Sequence, residues 1–167
     1  MNIAETANDI QVQLQIWANL YQGIVQVAAN THQMWKQCYS TTQVPRLIIA
    51  WAGDTIRGDF SVAAAMGRID RLWHVAIIRG RSMDSQRNAL STPIQNAVSF
   101  YQLVEESRDV VRTLAGVSVE PPVDFRNITQ MEGQEGLIDG YLIEFSTVAD
   151  LPRPIRDSNN QTSYVAG

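Results

Sequence analysis

The sequence predicts an α+β chain: a mixed, mainly antiparallel β-sheet of four to five strands covered by two α-helices, with an extended C-terminal tail. Three observations carry that expectation. A long helical periodicity begins at Ile3, short apolar runs of strand length follow at 47–51 and 69–79, and apolar residues become scarce after Leu151. Residues 1–151 read as a single domain and 152–167 as a polar tail that orders on a partner.

Ala7, Ile10, Leu14, Trp17, Tyr21, Ile24 and Ala28 recur in alternating steps of four and three, which aligns them on one side of a helix. Ile16, Leu20 and Val27 widen that stripe, as expected of a helix laid on a sheet. Asn30-Thr31, Ser40-Thr41-Thr42 and Pro45 mark a connection, because these side chains compete for backbone hydrogen bonds and proline ends regular structure. The stretch 32–39 between them is either a helix continuation or an irregular loop.

Residues 47–51, bounded by Pro45 and Gly53, form the first expected strand, with turn chemistry at Gly53-Asp54 and Arg57-Gly58-Asp59 and a short strand or ordered loop at 60–66. In 69–79, Ile69, Arg71, Trp73, Val75 and Ile77 alternate with Leu72, His74, Ala76 and Ile78. Apolar residues on both faces suit the middle of a sheet, with a helix on one side and a neighbouring subunit or second layer on the other. Residues 80–90 read as a polar loop.

Thr92 caps and Pro93 opens the second expected helix. Ala97, Tyr101, Val104, Val111 and Leu114 make its apolar side, the charged pairs Glu105/Arg108 and Asp109/Arg112 a solvated one, and Gly116 its stop. After Pro121-Pro122, residues 123–131 read as an edge strand and 131–136 as a hairpin loop. A half-buried closing strand turns Tyr141, Ile143 and Phe145 one way and Leu142, Glu144 and Ser146 the other.

At 167 residues the chain suits one core. Thirteen basic against seventeen acidic residues give a net charge of −4, with no basic stripe, so direct nucleic-acid recognition is not expected. Only 18% of residues are charged, and a charge-poor exterior is cheaper to desolvate against other copies. No apolar run is long enough for a membrane span, and no leader pattern opens the chain, which predicts a protein folded in the cytoplasm.

Cys38 is the single cysteine, which leaves no intramolecular disulfide or multi-cysteine metal site. His32 and Cys38 have no recognised ligand or nucleophile–base spacing. Asp54, Asp59 and Asp70 would need their loops to converge around a cation, and ordinary turn chemistry accounts for them better. The residues imply no catalytic set, no cofactor and no metal. Trp35 lies outside the periodic stripes and is the aromatic best suited to an interface.

The leading helix, the run Pro45-Arg46-Leu47-Ile48-Ile49-Ala50-Trp51-Ala52-Gly53-Asp54, the strand through Trp73 and Arg79, the helix from Pro93, and Tyr141-Leu142-Ile143-Glu144-Phe145-Ser146 before Leu151-Pro152 resemble the tail terminator proteins of long-tailed bacteriophages. The likeness spans about 3–152 as a pattern of order and hydrophobicity. It implies a non-catalytic virion protein, assembled in the host cytoplasm into a hexameric ring. That ring caps the tail tube protein, halts its polymerisation and meets a head-connector or neck protein. On that footing Arg79, Arg81 and Arg87 are expected to face a partner's acidic or carbonyl groups, and Arg57 and Asp59 to lie at a tube or ring-neighbour contact. The alternatives are another neck or head-to-tail joining protein, a monomeric assembly adaptor, and a small metal- or ligand-binding enzyme with a site around His74, Asp54 and Asp70.

Overall fold

A computed structural model describes residues 2–38, 45–55, 68–80, 92–128, 138–150, 153–156 and 162–165. The class is α+β. Helices α1 (Ile3–Ala18), α2 (Thr31–Cys38) and α3 (Thr92–Ala115) accompany a mixed sheet built from β1 (Ile24–Val27), β2 (Arg46–Thr55), β3 (Arg68–Gly80), β4 (Gly116–Val119), β5 (Val123–Asp124) and β6 (Ile138–Asp150). The strand order is β1-β2-β3-β6-β4, and β5 also pairs with β6. Only β1 and β2 run parallel; the other pairings are antiparallel.

Alternation along β3 makes two cores. Trp73, Val75 and Ile77 join Leu47, Ile49, Ile143 and Phe145 beneath α1 and α3, which contribute Ile10, Leu14, Leu103 and Val111. Ala76 and Ile78 join Ile48 and Ala50 on the other face, beneath Met34 and Cys38 of α2 and Phe125 of a short 3-10 turn, Phe125–Asn127. The second layer expected opposite the main helices is therefore supplied, at least over this half of the sheet, by the chain itself.

Three elements differ from expectation. The first helix stops at Ala18 instead of continuing to Ala28. It tightens into a 3-10 turn, Asn19–Tyr21, and Gln22 takes a left-handed conformation (φ 56°). The Gly23 N–H then donates to Ala18 C=O (2.8 Å) and the Gln22 N–H to Asn19 C=O (3.3 Å), a Schellman closure that frees 24–27 to become a strand. The segment 32–39 is neither continuation nor loop through Cys38: Asn30 starts a separate helix by accepting from the Gln33 N–H (2.8 Å). The strand predicted from Val123 shrinks to two residues, because Phe125 turns away to bury its ring in the second core.

The closing strand, β6, buries Ile143 and Phe145 and exposes Glu144, and it lies inside the sheet, with β3 on one side and β4 and β5 on the other. Helix α3 ends where expected, at Ala115, but Tyr101 is exposed and Phe100, Leu103, Val104, Val110 and Val111 supply the buried side. The C-terminal segment, expected as an extended tail, contains β7 (Arg153–Arg156) and β8 (Thr162–Val165), paired with each other in a separate antiparallel ribbon. The expected elements at 60–66, 80–90 and 131–136 lie outside the described residues, apart from Gly80 at the end of β3.

Candidate assembly surface

Helix α1 begins with a capping box: Asn2 Oδ1 accepts from the Glu5 N–H (2.8 Å) while the Asn2 N–H donates to Glu5 Oε2 (2.9 Å). Its buried row, Ala7, Ile10, Leu14 and Ala18, faces the sheet. On the opposite side Val12, Ile16 and the following Leu20 succeed one another at four-residue steps with relative exposures of 51%, 56% and 70%. The expectation that Ile16 and Leu20 widen the core stripe is thus corrected. They form a second stripe, turned away from the sheet.

Full burial of such aliphatic side chains is worth about 1.5–3 kcal/mol each, so this exposure is a sizeable unrealised gain. A helix apolar on both sides belongs between two layers. Among the described residues one layer, the sheet, is present. From Ile10 to Thr31 the sequence contains no Asp, Glu, Lys or Arg; the exposed neighbours of the stripe include Asn8 and Asp9 one turn before Val12, the amides Gln13, Asn19 and Gln22, and Trp17.

Strand β1 lies at the edge of the sheet, and α1 closes part of that edge. Toward β2, the Ile24 N–H donates to Pro45 C=O (2.9 Å) and the Ala28 N–H to Ile49 C=O (2.8 Å). Away from β2, the Val25 N–H donates to Gln15 Oε1 (3.0 Å), Gln11 Nε2 donates to Val25 C=O (3.1 Å), and Gln15 Nε2 donates to Gly23 C=O (3.1 Å). Two carboxamides one turn apart thereby stand in for the peptide groups of a missing strand. An edge protected in this way is a poor template for another chain's backbone.

At the far side of the sheet, Tyr101 of α3 is 53% exposed and meets Tyr141 of β6 edge-on, with ring centroids 6.3 Å apart. Asp124 of β5 is paired with Tyr141 and shares its face, whereas the exposed Val123 is paired with Leu142 and lies on the other face. This region is separated from β1 by β2 and β3.

Arg79 is placed inside the chain: its Nη2 is 3.5 Å from Asp139 Oδ2, and its guanidinium lies 5.3 Å from the centre of the Phe100 ring. Within one chain this side chain is mostly buried against its own Asp139 and Phe100. Trp35 is half-buried on α2, edge-on to Phe125 with centroids 5.5 Å apart. Arg57, Asp59, Arg81 and Arg87 lie outside the described residues.

The enzyme-like grouping does not converge. A bulge between Trp51 and Gly53 resets the alternation of β2, so that Asp54 pairs with Arg71 and shares the first face with Trp51. Gly53 enables this with φ 111°, a conformation that side chains rarely adopt. Asp54 Oδ1 accepts from Trp51 Nε1 (3.0 Å) and Arg71 Nε (3.3 Å). Asp70 and His74 occupy the alternate face, where His74 Nε2 sits 2.7 Å from Glu144 Oε2.

His32 is exposed on α2, whereas Cys38 is fully buried; burial pushes its thiol up to about 12, against a smaller opposing pull from Arg46. Among the described residues no cluster of three or more His, Cys, Asp or Glu could hold a metal ion, and no helix is long and apolar enough to cross a membrane.

Sequence reasoning missed the second stripe of α1 and the glutamine clamp. The spacing 12-16-20 was a usable signal, since it projects roughly opposite Ala7, Leu14 and Ala18 on a helix of 3.6 residues per turn. No protein-family profile and no curated protein matches the chain.

Proposed function

We propose that this protein is a structural subunit that closes into a ring, hexameric by its resemblance, at the head-proximal end of a bacteriophage tail. There it caps the tail tube, stops tube polymerisation and joins the tail to the head connector. The observation that carries the self-assembly part of this reading is α1: apolar toward its own sheet, apolar toward solvent, and uncharged from Ile10 to Thr31. The phage station rests on the order of a leading helix, an antiparallel β2–β3 pair, a long α3 and the strand β6, together with a composition only 18% charged.

Ring formation satisfies what a free subunit leaves in water. Each copy offers apolar surface that is stabilised when buried, and a closed ring repeats one contact without leaving a free end. The β7–β8 ribbon at 153–156 and 162–165 packs against a neighbour in the ring or neck. Arg57, Asp59, Arg81 and Arg87, which lie outside the described residues, supply contacts to the tube and connector.

Native mass measurement with negative-stain imaging tests the reading. A sixfold annulus supports it, and phage lacking the protein then carry tails of uncontrolled length. A compact monomer at all concentrations, or one with stoichiometric metal, overturns it.

A further inference from the structure

We infer that Gln11 and Gln15 form an autoinhibitory latch: their carboxamides occupy the backbone positions on the outer edge of β1 through which one copy would otherwise pair, strand to strand, with β1 of another. The inference does not depend on the ring reading. It closes one route by which copies could join.

Gln15 uses both ends of its amide. Its Oε1 accepts from the Val25 N–H (3.0 Å), while Nε2 donates to Gly23 C=O (3.1 Å) and to Asn19 Oδ1 (2.7 Å). One donor and two acceptors around the group leave it a single orientation. A parallel neighbouring strand would donate to one carbonyl and accept from the N–H two residues further on; Gly23 C=O and Val25 N–H are such a pair. Gln11, one turn earlier, takes the next position by donating to Val25 C=O (3.1 Å). The corner that brings β1 beside the helix is tight: a Cβ on Gly23 would stand 3.2 Å from the Ala18 carbonyl oxygen and 3.3 Å from that of Pro45.

The two edges of the sheet show why a latch is needed. At the far edge β4 and β5 are four and two residues long, a register shift interrupts β4 between Gly116 and Ser118, and Pro121-Pro122 lies between the two strands. Shortness, bulging and proline each discourage strand addition. β1 is also short, but Ile24-Val25-Gln26-Val27 has no proline and no charge, favours strand, and runs in unbroken register with β2. Its exposed Ile24 and Val27 would add apolar contact to a strand laid alongside. The carboxamides supply the protection that the strand's own sequence lacks.

The latch ends before the strand does. Along β1 the N–H groups of Ile24 and Ala28 point toward β2, so those of Val25 and Val27 point away. Among the described residues neither carboxamide reaches the Val27 N–H. In the unmodified chain the Val25 amide is therefore expected to exchange with deuterium at least about 10-fold more slowly than that of Val27.

The test compares full-length Gln11→Ala/Gln15→Ala with Gln11→Lys/Gln15→Lys, by amide exchange and native mass over a range of concentrations. In dilute solution both should lose the protection of Val25, because neither side chain can accept its N–H. Only the alanine variant should then join through β1, since lysines on an edge repel a second copy. The opened edges are identical and meet across a twofold axis, so the mass should at least double relative to the species formed by the unmodified chain, with Val25 protected again as concentration rises. Adding Val27→Pro removes an outward N–H, leaves the β1–β2 ladder intact, and should abolish the extra association.

Alanine and lysine variants that associate alike, or association that survives Val27→Pro, would overturn the latch in favour of partial unfolding. A folded alanine variant that never exceeds the mass of the unmodified chain also overturns it. If the alanine variant does not fold, the unmodified chain decides: a Val25 amide exchanging as fast as that of Val27 overturns the latch, and one about 10-fold slower supports it. The mass of the unmodified chain, ring or monomer, bears on the ring reading alone.

Discussion

The two faces of the sheet solve the same problem with opposite materials. The first face is lined by Trp73, Phe145, Ile143 and Ile77, large side chains that hold the long helices α1 and α3 away from the strands. The second is lined by Ala50, Ala76, Ile48 and Ile78, and among the described residues this shallower surface takes the short α2, Ala28, Ile128 and the ring of Phe125. Where β3 and β6 reach Leu72, His74 and Glu144, the second face gives way to partly exposed residues and the His74–Glu144 hydrogen bond. Sheet faces of one protein can thus differ in depth: bulk on a strand determines how much helix the face can carry.

That contrast breaks most severely at Trp73. Trp73→Ala removes a fully buried ring and the bond from its Nε1 to Thr147 Oγ1 (3.0 Å), and is expected to cost about 3–5 kcal/mol. The denaturant midpoint measures it; a loss below about 1 kcal/mol would mean that the first face is not the principal core.

Gly140 sharpens the comparison from the other side. A Cβ there would stand 2.5 Å from the Phe125 ring, so Gly140→Ala should cost about 1–3 kcal/mol by overpacking. Pairing it with Phe125→Leu makes room, and the double variant should lose less than the sum of the two single losses. Strict additivity would show that the two positions do not touch.

The effect confined to alkaline pH concerns Cys38. The native state keeps the Cys38 proton to about 12, while the unfolded chain releases it near 9. Between those values the unfolded state binds fewer protons. Stability contributed by the neutral thiol is complete below pH 9 and falls by up to about 1.4 kcal/mol per pH unit until about 12. Unfolding midpoints of the native protein and Cys38→Ala should converge over that range. The same burial predicts no alkylation by iodoacetamide at pH 8 until denaturant is added; rapid labelling of the folded protein would contradict the placement of α2.

Much of the first face was legible in the sequence, because its residues repeat on the helical and strand periods together: Ile10 and Leu14 in α1, Trp73, Val75 and Ile77 in β3, Ile143 and Phe145 in β6. What was hidden had a physical reason. Ile24 and Ala28 continue the α1 spacing by coincidence, and the residue that ends the helix in a left-handed conformation is Gln22, without the glycine that normally announces such a stop. Phe125 read as part of a strand because aromatic residues favour strands, yet its ring was needed across the sheet. The clamp was illegible, since Gln11 and Gln15 meet β1 only once the chain has doubled back. The exposed stripe of α1 was half legible: the charge deficit was visible, but Ile16 and Leu20 were credited to the interior.

The parallel alignment of β1 and β2 has a consequence for how the chain can be rearranged. Two strands pointing the same way cannot be joined by a tight reversal; the polypeptide must climb over the sheet, and such crossings turn right-handed almost without exception. The route from Val27 to Arg46 is that crossing, and α2 is its middle. Its side of the sheet is therefore dictated by handedness more than by the grip of Met34 and Cys38. Trimming the route to a few residues would force the first strand either to invert or to leave, and the second core would vanish with it.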